Sequence, residues 1–263
     1  MTLLYGPANI TRQELAYINT PEPQGPWHQP VPFGDYVDMI TDALVKEDIV
    51  ITLEEFQVVK NDMQLFGAMA VAPANDEFLP GLETNLVLGI RGSHDKIVPR
   101  GICIGTQVMV CSNLCFDGNM ATASTRQTKN IFHRLPDMIR DIVRRIRSEA
   151  TLQETRLNAY KNANLGTSQM GDALIVELFR NKVMSTAQFT KSLDEWVEPT
   201  FAKHQEDGDY SVWNLFNAVT QSMKPQADLD DAHVFNHSLL QTRTQKLTQS
   251  LDTHLGLDLR QAA

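Results

Sequence analysis

Gly101-Ile102-Cys103-Ile104-Gly105-Thr106-Gln107-Val108-Met109-Val110-Cys111 is a long, β-prone run, and Ile139-Arg140-Asp141-Ile142-Val143-Arg144-Arg145-Ile146-Arg147 follows it with a different rhythm. The first run reads as a strand with a side-chain period of two. In the second, Ile139, Ile142, Val143 and Ile146 form an apolar stripe, and the period becomes about 3.6. This change decides the fold: a β-region feeds one long helix. With Pro136 as a break or first-turn residue, the helical pattern runs from Thr125 through Leu157 and Tyr160 to about Ala163. Gly166 is its terminator.

Working back from the strand, turn signals mark a β-meander. Strands are expected at Ile49-Val50-Ile51, Glu54 to Lys60, Met63 to Val71 and Leu86 to Ser93, with turns at Asn61-Asp62 and Asp95-Lys96 and a loop from Pro73 to Pro80. Sequential strands joined by short turns imply antiparallel pairing. Asp35 caps a helix carrying Tyr36, Met39, Ile40, Ala43 and Leu44, which Lys46-Glu47-Asp48 ends. Before it, Pro21, Pro23, Gly25, Pro26, Pro30, Pro32 and Gly34 predict an irregular lead-in, in which Trp27-His28 and Phe33 pack an extended arm onto the body or a neighbouring subunit. Working forward, helices are expected over Met170–Asn181, Thr186–Glu195, Ser211–Met223 and Asp231 to about Leu255, with an acidic surface loop at Glu206-Asp207-Gly208-Asp209. The fold class is therefore α+β: an antiparallel β-meander packed with a long basic helix and a helical C-terminal third. The organisation is an extended N-terminal arm over 1–34, an α+β core over 35–165 and a helical region over 166–263.

The 263 residues are 42% hydrophobic and 21% charged, which is ordinary for a globular chain and argues against disorder. No stretch approaches the roughly 20 apolar residues of a membrane helix. The start, Met1 to Pro7, has no basic region and too short an apolar run for a signal peptide, so a cytoplasmic setting with no membrane partner is expected. Cys103, Cys111 and Cys115 are an odd set, expected as thiols and small buried hydrophobes. The net charge of −9 is unevenly laid out. From Arg91 to Lys161 there are twelve Lys and Arg against six Asp and Glu, a net +6, while the remainder carries −15. An anionic partner feels the local stripe within a Debye length of about 10 Å rather than the total.

Few residues carry chemistry on spacing. His94 and Asp95 follow Gly92-Ser93 at a strand end, and Cys111-Ser112-Asn113 ends the next strand. A Cys-His nucleophile pair needs the two within hydrogen-bond reach, whereas Ser, His, Asp and Asn at strand ends equally serve turn backbone groups. Cys111 and Cys115 with Cys103 and His94 or His133 have poor zinc spacing, since structural sites use two closely spaced pairs. There is no Gly-x-x-x-x-Gly-Lys-Ser/Thr loop, no dinucleotide-binding glycine fingerprint and no His-Glu-x-x-His, and no cofactor or metal is expected. Glu54-Glu55 and Asp230-Asp231 read as exposed charges.

What remains is the arginine helix. Arg140, Arg144 and Arg147 lie at i, i+4 and i+7 with Arg145 beside them, a row of guanidinium groups suited to phosphates. Arg91, Lys96, Arg100, Arg126 and Lys129 would extend the stripe. The opposing reading is that these arginines pair with Asp137, Asp141, Glu149 and Glu154 along the helix.

Trp27-His28, Gly92-Ser93-His94-Asp95-Lys96, Val108 to Asn113, and Trp213-Asn214-Leu215-Phe216-Asn217-Ala218-Val219-Thr220 resemble, in order and spacing, the phage- and plasmid-type family designated domain of unknown function 932, which includes prophage proteins of enteric bacteria. The resemblance spans about residues 27–223; the last forty residues depart from it, lacking a Gly-rich stretch. It implies a mobile-element setting. The element order is also similar to the core of phage single-strand annealing proteins, which form rings or filaments and hold the DNA backbone in a basic groove. The function this implies is single-stranded DNA binding and annealing by a non-catalytic homo-oligomer, a ring or filament. Only Phe132 and Tyr160 lie near the stripe as candidate stacking rings, few for a base-stacking platform. Two alternatives stand: a counter-defence protein whose acidic flanks dock a host enzyme, and an enzyme built on Cys111 and His94.

Overall fold

A computed structural model describes residues 3–4, 10–82, 84–108, 114–115, 122–201, 210–224 and 237–258. The elements run α1 (Arg12–Leu15), α2 (Phe33–Lys46), β1 (Ile49–Val59), β2 (Gln64–Pro73), β3 (Thr84–Ser93), β4 (Arg100–Val108), β5 (Leu114–Cys115), β6 (Thr122–Thr125), α3 (Ile131–Asn162), α4 (Ser168–Arg180), α5 (Thr186–Val197), α6 (Val212–Ser222) and α7 (His237–His254). The class is α+β, with an antiparallel meander in strand order β1-β2-β3-β4-β5 and β6 paired with β4. Chain contacts divide into two compact units. The first comprises Met1–Phe78, Asn85–Gly105 and Asn119–Glu149; the second comprises Leu79–Thr84, Thr106–Gly118 and Ala150–Ala263.

In the first unit, β2 to β4 are buried at successive positions rather than alternate ones, so both faces of the sheet are covered. Small residues let the layers close. A Cβ on Gly67 would lie 2.7 Å from Phe56 and 2.8 Å from Ile90. β1 is the edge, with Val50 and Leu53 exposed and a register shift between Ile51 and Leu53. The two β-runs expected at 49–51 and 54–60 are therefore one bulged strand. Tyr36, Val37, Ile40 and Leu44 of α2 and Ile131, Leu135, Ile139, Ile142, Val143 and Ile146 of α3 are buried, which is the helical stripe the sequence shows.

Other features also depart from the sequence reading: Asp35 lies in the first turn of α2 rather than capping it, the N-cap position being Pro32. The lead-in contains a short helix, α1, closed by a capping box in which the Thr11 side chain accepts from Glu14 N–H and the Glu14 carboxylate accepts from Thr11 N–H. Arg12 anchors it, donating to Glu54 at 2.8 Å and to Thr41 at 2.8 Å. Residues 122–125 are a strand, not the start of the long helix, because Arg100 to Cys103 offer them a pairing edge. The helix starts at Ile131 and carries Pro136 inside it. There the missing N–H forfeits the bond to the Phe132 carbonyl and the ring crowds that carbonyl, although the fixed φ suits the helix.

The second unit is helical apart from the end of β4, where Thr106 and Gln107 pair with Cys115 and Leu114. α4, α5 and α6 pack on one another and α6 on α7. Gly171 lies against the Trp196 indole, whose N–H donates to the Ser168 carbonyl at 3.1 Å. Arg156 donates to both carboxylate oxygens of Asp252 at 2.9 to 3.1 Å, and the Tyr160 hydroxyl donates to the same group at 2.7 Å. Burial, then the Asp252 charge, raises the Tyr160 pKa well above its ordinary value, so the phenol stays protonated and donating. Among the described residues no helix is long and apolar enough to cross a membrane. The strand end at Met109–Cys111, the acidic loop at 206–209 and the start of the last helix at Asp231 lie outside the described residues.

Candidate functional site

Each arginine in the row from Arg140 to Arg147 already has a local partner. Arg140 meets Asp137 at 3.0 Å, Arg145 meets Glu149 at 2.9 Å, and Arg144 lies 3.6 Å from Glu47 at the end of α2. Arg147 donates to the Glu47 carbonyl at 3.0 Å and sits 6.0 Å over the Phe78 ring. Asp137 and Glu149, two of the competing acids expected along the helix, take two of the four. Arg140, Arg144 and Arg145 stay more than half exposed; the Arg140 and Arg144 pairs are surface pairs worth at most about 1 kcal/mol each and open to exchange with a stronger anion, whereas Arg145 is held by the buried Glu149.

Arg100 is not on the stripe. It is fully buried at the start of β4, where its guanidinium donates to the Val31 carbonyl and lies 4.6 Å over Phe33 and 5.4 Å over Tyr36. Its room comes from Gly92 on β3, where any Cβ would overlap the Arg100 side chain. Burial pushes its pKa down to about 10, still charged at neutral pH. A charge at a strand end reads as exposed in sequence. Only the neighbouring Gly92 and the two rings of α2 reveal otherwise. Arg91 is half-buried and runs over Gly101, whose Cβ would lie 3.3 Å from its Nε.

Lys96 and Arg126 come together with a ring that no spacing in the sequence links to them. The β3–β4 hairpin is pinned by Ser93, whose hydroxyl accepts from Val98 N–H at 2.9 Å, and by Asp95, whose carboxylate accepts from Ile97 N–H at 2.9 Å. Lys96 at its tip takes a left-handed φ of 66°. The arm is clipped alongside by Gln29 N–H donating to the Gln127 carbonyl at 3.2 Å, by Val31 N–H donating to the Gln127 side chain at 2.7 Å, and by that amide donating to Ser93 O at 2.6 Å. Residues 24–28, 96–99 and 126–128 thereby enclose a cavity of about 490 Å³. Trp27, 74% exposed, and Ile97 supply its apolar surface, and Lys96 and Arg126 its charge; among the described residues no acidic side chain lines it. Lys129 is exposed next along the chain.

His28 also lines this cavity and is 9% exposed. Its Nδ1 accepts from Gln24 N–H at 3.1 Å. Burial and then the Lys96 charge lower its pKa, so the ring is neutral and carries its proton on Nε2. That buried N–H has no hydrogen-bond partner among the described residues. His94 lies deeper, 1% exposed and stacked on Phe33 at 4.1 Å, and burial followed by the Arg100 charge pushes it down to about 4. Cys111, its suggested nucleophilic partner, lies outside the described residues. Cys103 donates to the Gly89 carbonyl at 3.6 Å, and burial pushes its thiol up to about 12, a structural rather than reactive setting. Among the described residues no three His, Cys, Asp or Glu are grouped to hold a metal.

No protein-family model, no curated protein and no solved structure matches this chain.

Proposed function

We propose that the chain binds single-stranded DNA and promotes strand annealing, acting as a homo-oligomer of a mobile element. One observation carries the reading: an exposed indole, Trp27, shares an acid-free cavity with the cations Lys96 and Arg126 on a chain whose net charge is −9. Single strands are held by pairing aromatic faces for the bases with cations for the backbone, and base–aromatic stacking is worth about 1–3 kcal/mol per base. On the basic helix Phe132 is exposed but Tyr160 is buried, and the arm adds a second exposed ring in Trp27. Lys96, Arg126 and Lys129 contact phosphates, Trp27 takes a base, and Arg140, Arg144, Arg145 and Arg147 add positive potential, with Arg140 and Arg144 exchanging their surface acids for phosphate. Burial of Arg100 removes it from this set. With no family model matching, the mobile-element setting rests on motif order alone, and assembly into a ring or filament rests on the likeness in element order.

The test is titration of a labelled oligothymidylate at about 50 and 200 mM salt, where phosphate-driven affinity differs most. Binding at low salt that weakens steeply with salt, and weakens further in Trp27→Ala, is expected. No binding at the lower salt ends this reading. Capture of a stoichiometric host enzyme instead would favour the counter-defence alternative, which the acidic remainder of the chain suits.

A further inference from the structure

We infer that the Trp27 cavity is a receptor for a terminal nucleotide phosphate, so that the protein engages a strand by its phosphorylated end. This rests on the nucleic-acid reading above and sharpens it. Two cations, Lys96 and Arg126, line one cavity together with the Trp27 indole. His28 fixes the wall behind them, 9% exposed, with its Nδ1 accepting from Gln24 N–H at 3.1 Å.

A phosphate monoester brings a charge of about −1.5 to −2 and three terminal oxygens, whereas an internal diester brings one charge and two. Two cations match the charge of the former. The nearest carboxylate in sequence, Asp95, is turned elsewhere: it accepts from Gln64 at 2.6 Å and from Ile97 N–H, and does not line the cavity. At about 490 Å³ the cavity lies within the range of small-ligand sites, roughly 300–1,000 Å³, and the Trp27 face supplies the stacking surface a base needs.

The experiment is calorimetric titration of the full chain with thymidine 5′-monophosphate, thymidine and inorganic phosphate, and with an oligothymidylate bearing either a 5′-phosphate or a 5′-hydroxyl. The monophosphate should bind at least about tenfold more tightly than either thymidine or phosphate, and the 5′-phosphorylated strand about tenfold more tightly than its hydroxyl counterpart, on the scale where tenfold is one decade of Kd. Lys96→Gln, a change at an exposed turn, should abolish that preference while leaving the unfolding midpoint unchanged, and Arg126→Gln should reduce it. Equal binding of the two strands with no monophosphate binding overturns the terminal-phosphate site and leaves single-strand binding intact. Monophosphate binding with no strand binding keeps the site and removes the single-strand reading. Inorganic phosphate binding as tightly as the monophosphate overturns it as a nucleotide site.

Discussion

The guanidinium of Arg100 lies 4.6 Å over the ring of Phe33, fully buried. Among the described residues it has no carboxylate partner. Its charge is carried by two aromatic faces and the Val31 carbonyl. Desolvating a cation costs several kcal/mol, and a desolvated cation–π contact returns about 2 kcal/mol or somewhat more, so the compensation is partial. Arg100→Met, which keeps volume and removes the charge, should therefore unfold within about 1 kcal/mol of the parent or above it, whereas Arg100→Ala should lose about 3 kcal/mol through the void it leaves. Urea midpoints with unchanged slopes decide it. Equal losses in the two variants would show that the charge itself is stabilising.

Gly92 and Arg100 should be coupled. Gly92→Ala places a methyl group within the Arg100 side chain and should cost about 2–3 kcal/mol by overpacking. In the Gly92→Ala/Arg100→Ala double variant that penalty should largely vanish, giving a coupling energy above about 1 kcal/mol. Additive losses would place the cost in the β3 backbone.

Acid should weaken the fold through His94. Its folded pKa, about 4, lies below the ordinary 6.5, chiefly from burial, with the charge of Arg100 and then His28 opposing protonation and Asp95 weakly favouring it. The unfolded chain therefore binds the proton first. The contribution is complete above pH 6.5 and is lost as pH falls from there to about 4, amounting to at most roughly 3 kcal/mol. His94→Phe, which retains the stack on Phe33, should flatten the fall in urea midpoint across that window; identical slopes would remove His94 as its source.

In the second unit, Asp252→Asn removes the charge from the bidentate partner of the buried Arg156 and should cost about 3 kcal/mol, while Tyr160→Phe, which removes one hydrogen bond to the same carboxylate, should cost about 1 kcal/mol. Thermal unfolding of the two variants side by side gives the ratio. A loss of under about 1 kcal/mol for Asp252→Asn would mean that Arg156 finds other partners.

The helix arginines and the cavity cations should differ in DNA titrations. Neutralising one cation that binds a phosphate should lower the slope of log affinity against log salt by about 0.7 for a single strand. Lys96→Gln and Arg126→Gln should each show that full change. Arg144→Gln should show less, because its guanidinium must leave Glu47, 3.6 Å away, to reach a phosphate. Equal changes would put the helix and the cavity on the same footing.

Local periodicity made much of the architecture legible. The apolar stripe from Ile139 to Ile146 and the turn at Asp95-Lys96 are properties of short stretches, and they predict α3 and the β3–β4 hairpin. The short helix α1 was not read, because the prolines that follow it dominate the pattern of the lead-in. By itself the sequence determined the class, the order of the meander and the +6 segment, because strand period, helix period and charge are encoded among near neighbours. The tertiary structure alone decided where those charges go. Arg100 turns inward because Gly92 on another strand leaves room and Phe33 offers a face. Residues 122–125 become a strand because β4 presents unpaired backbone to them. Trp27, His28, Lys96 and Arg126 meet because Gln127 hydrogen-bonds both Val31 and Ser93, holding three distant segments together. Such contacts depend on which residues lie across a gap in space, and no local pattern in the chain carries that information.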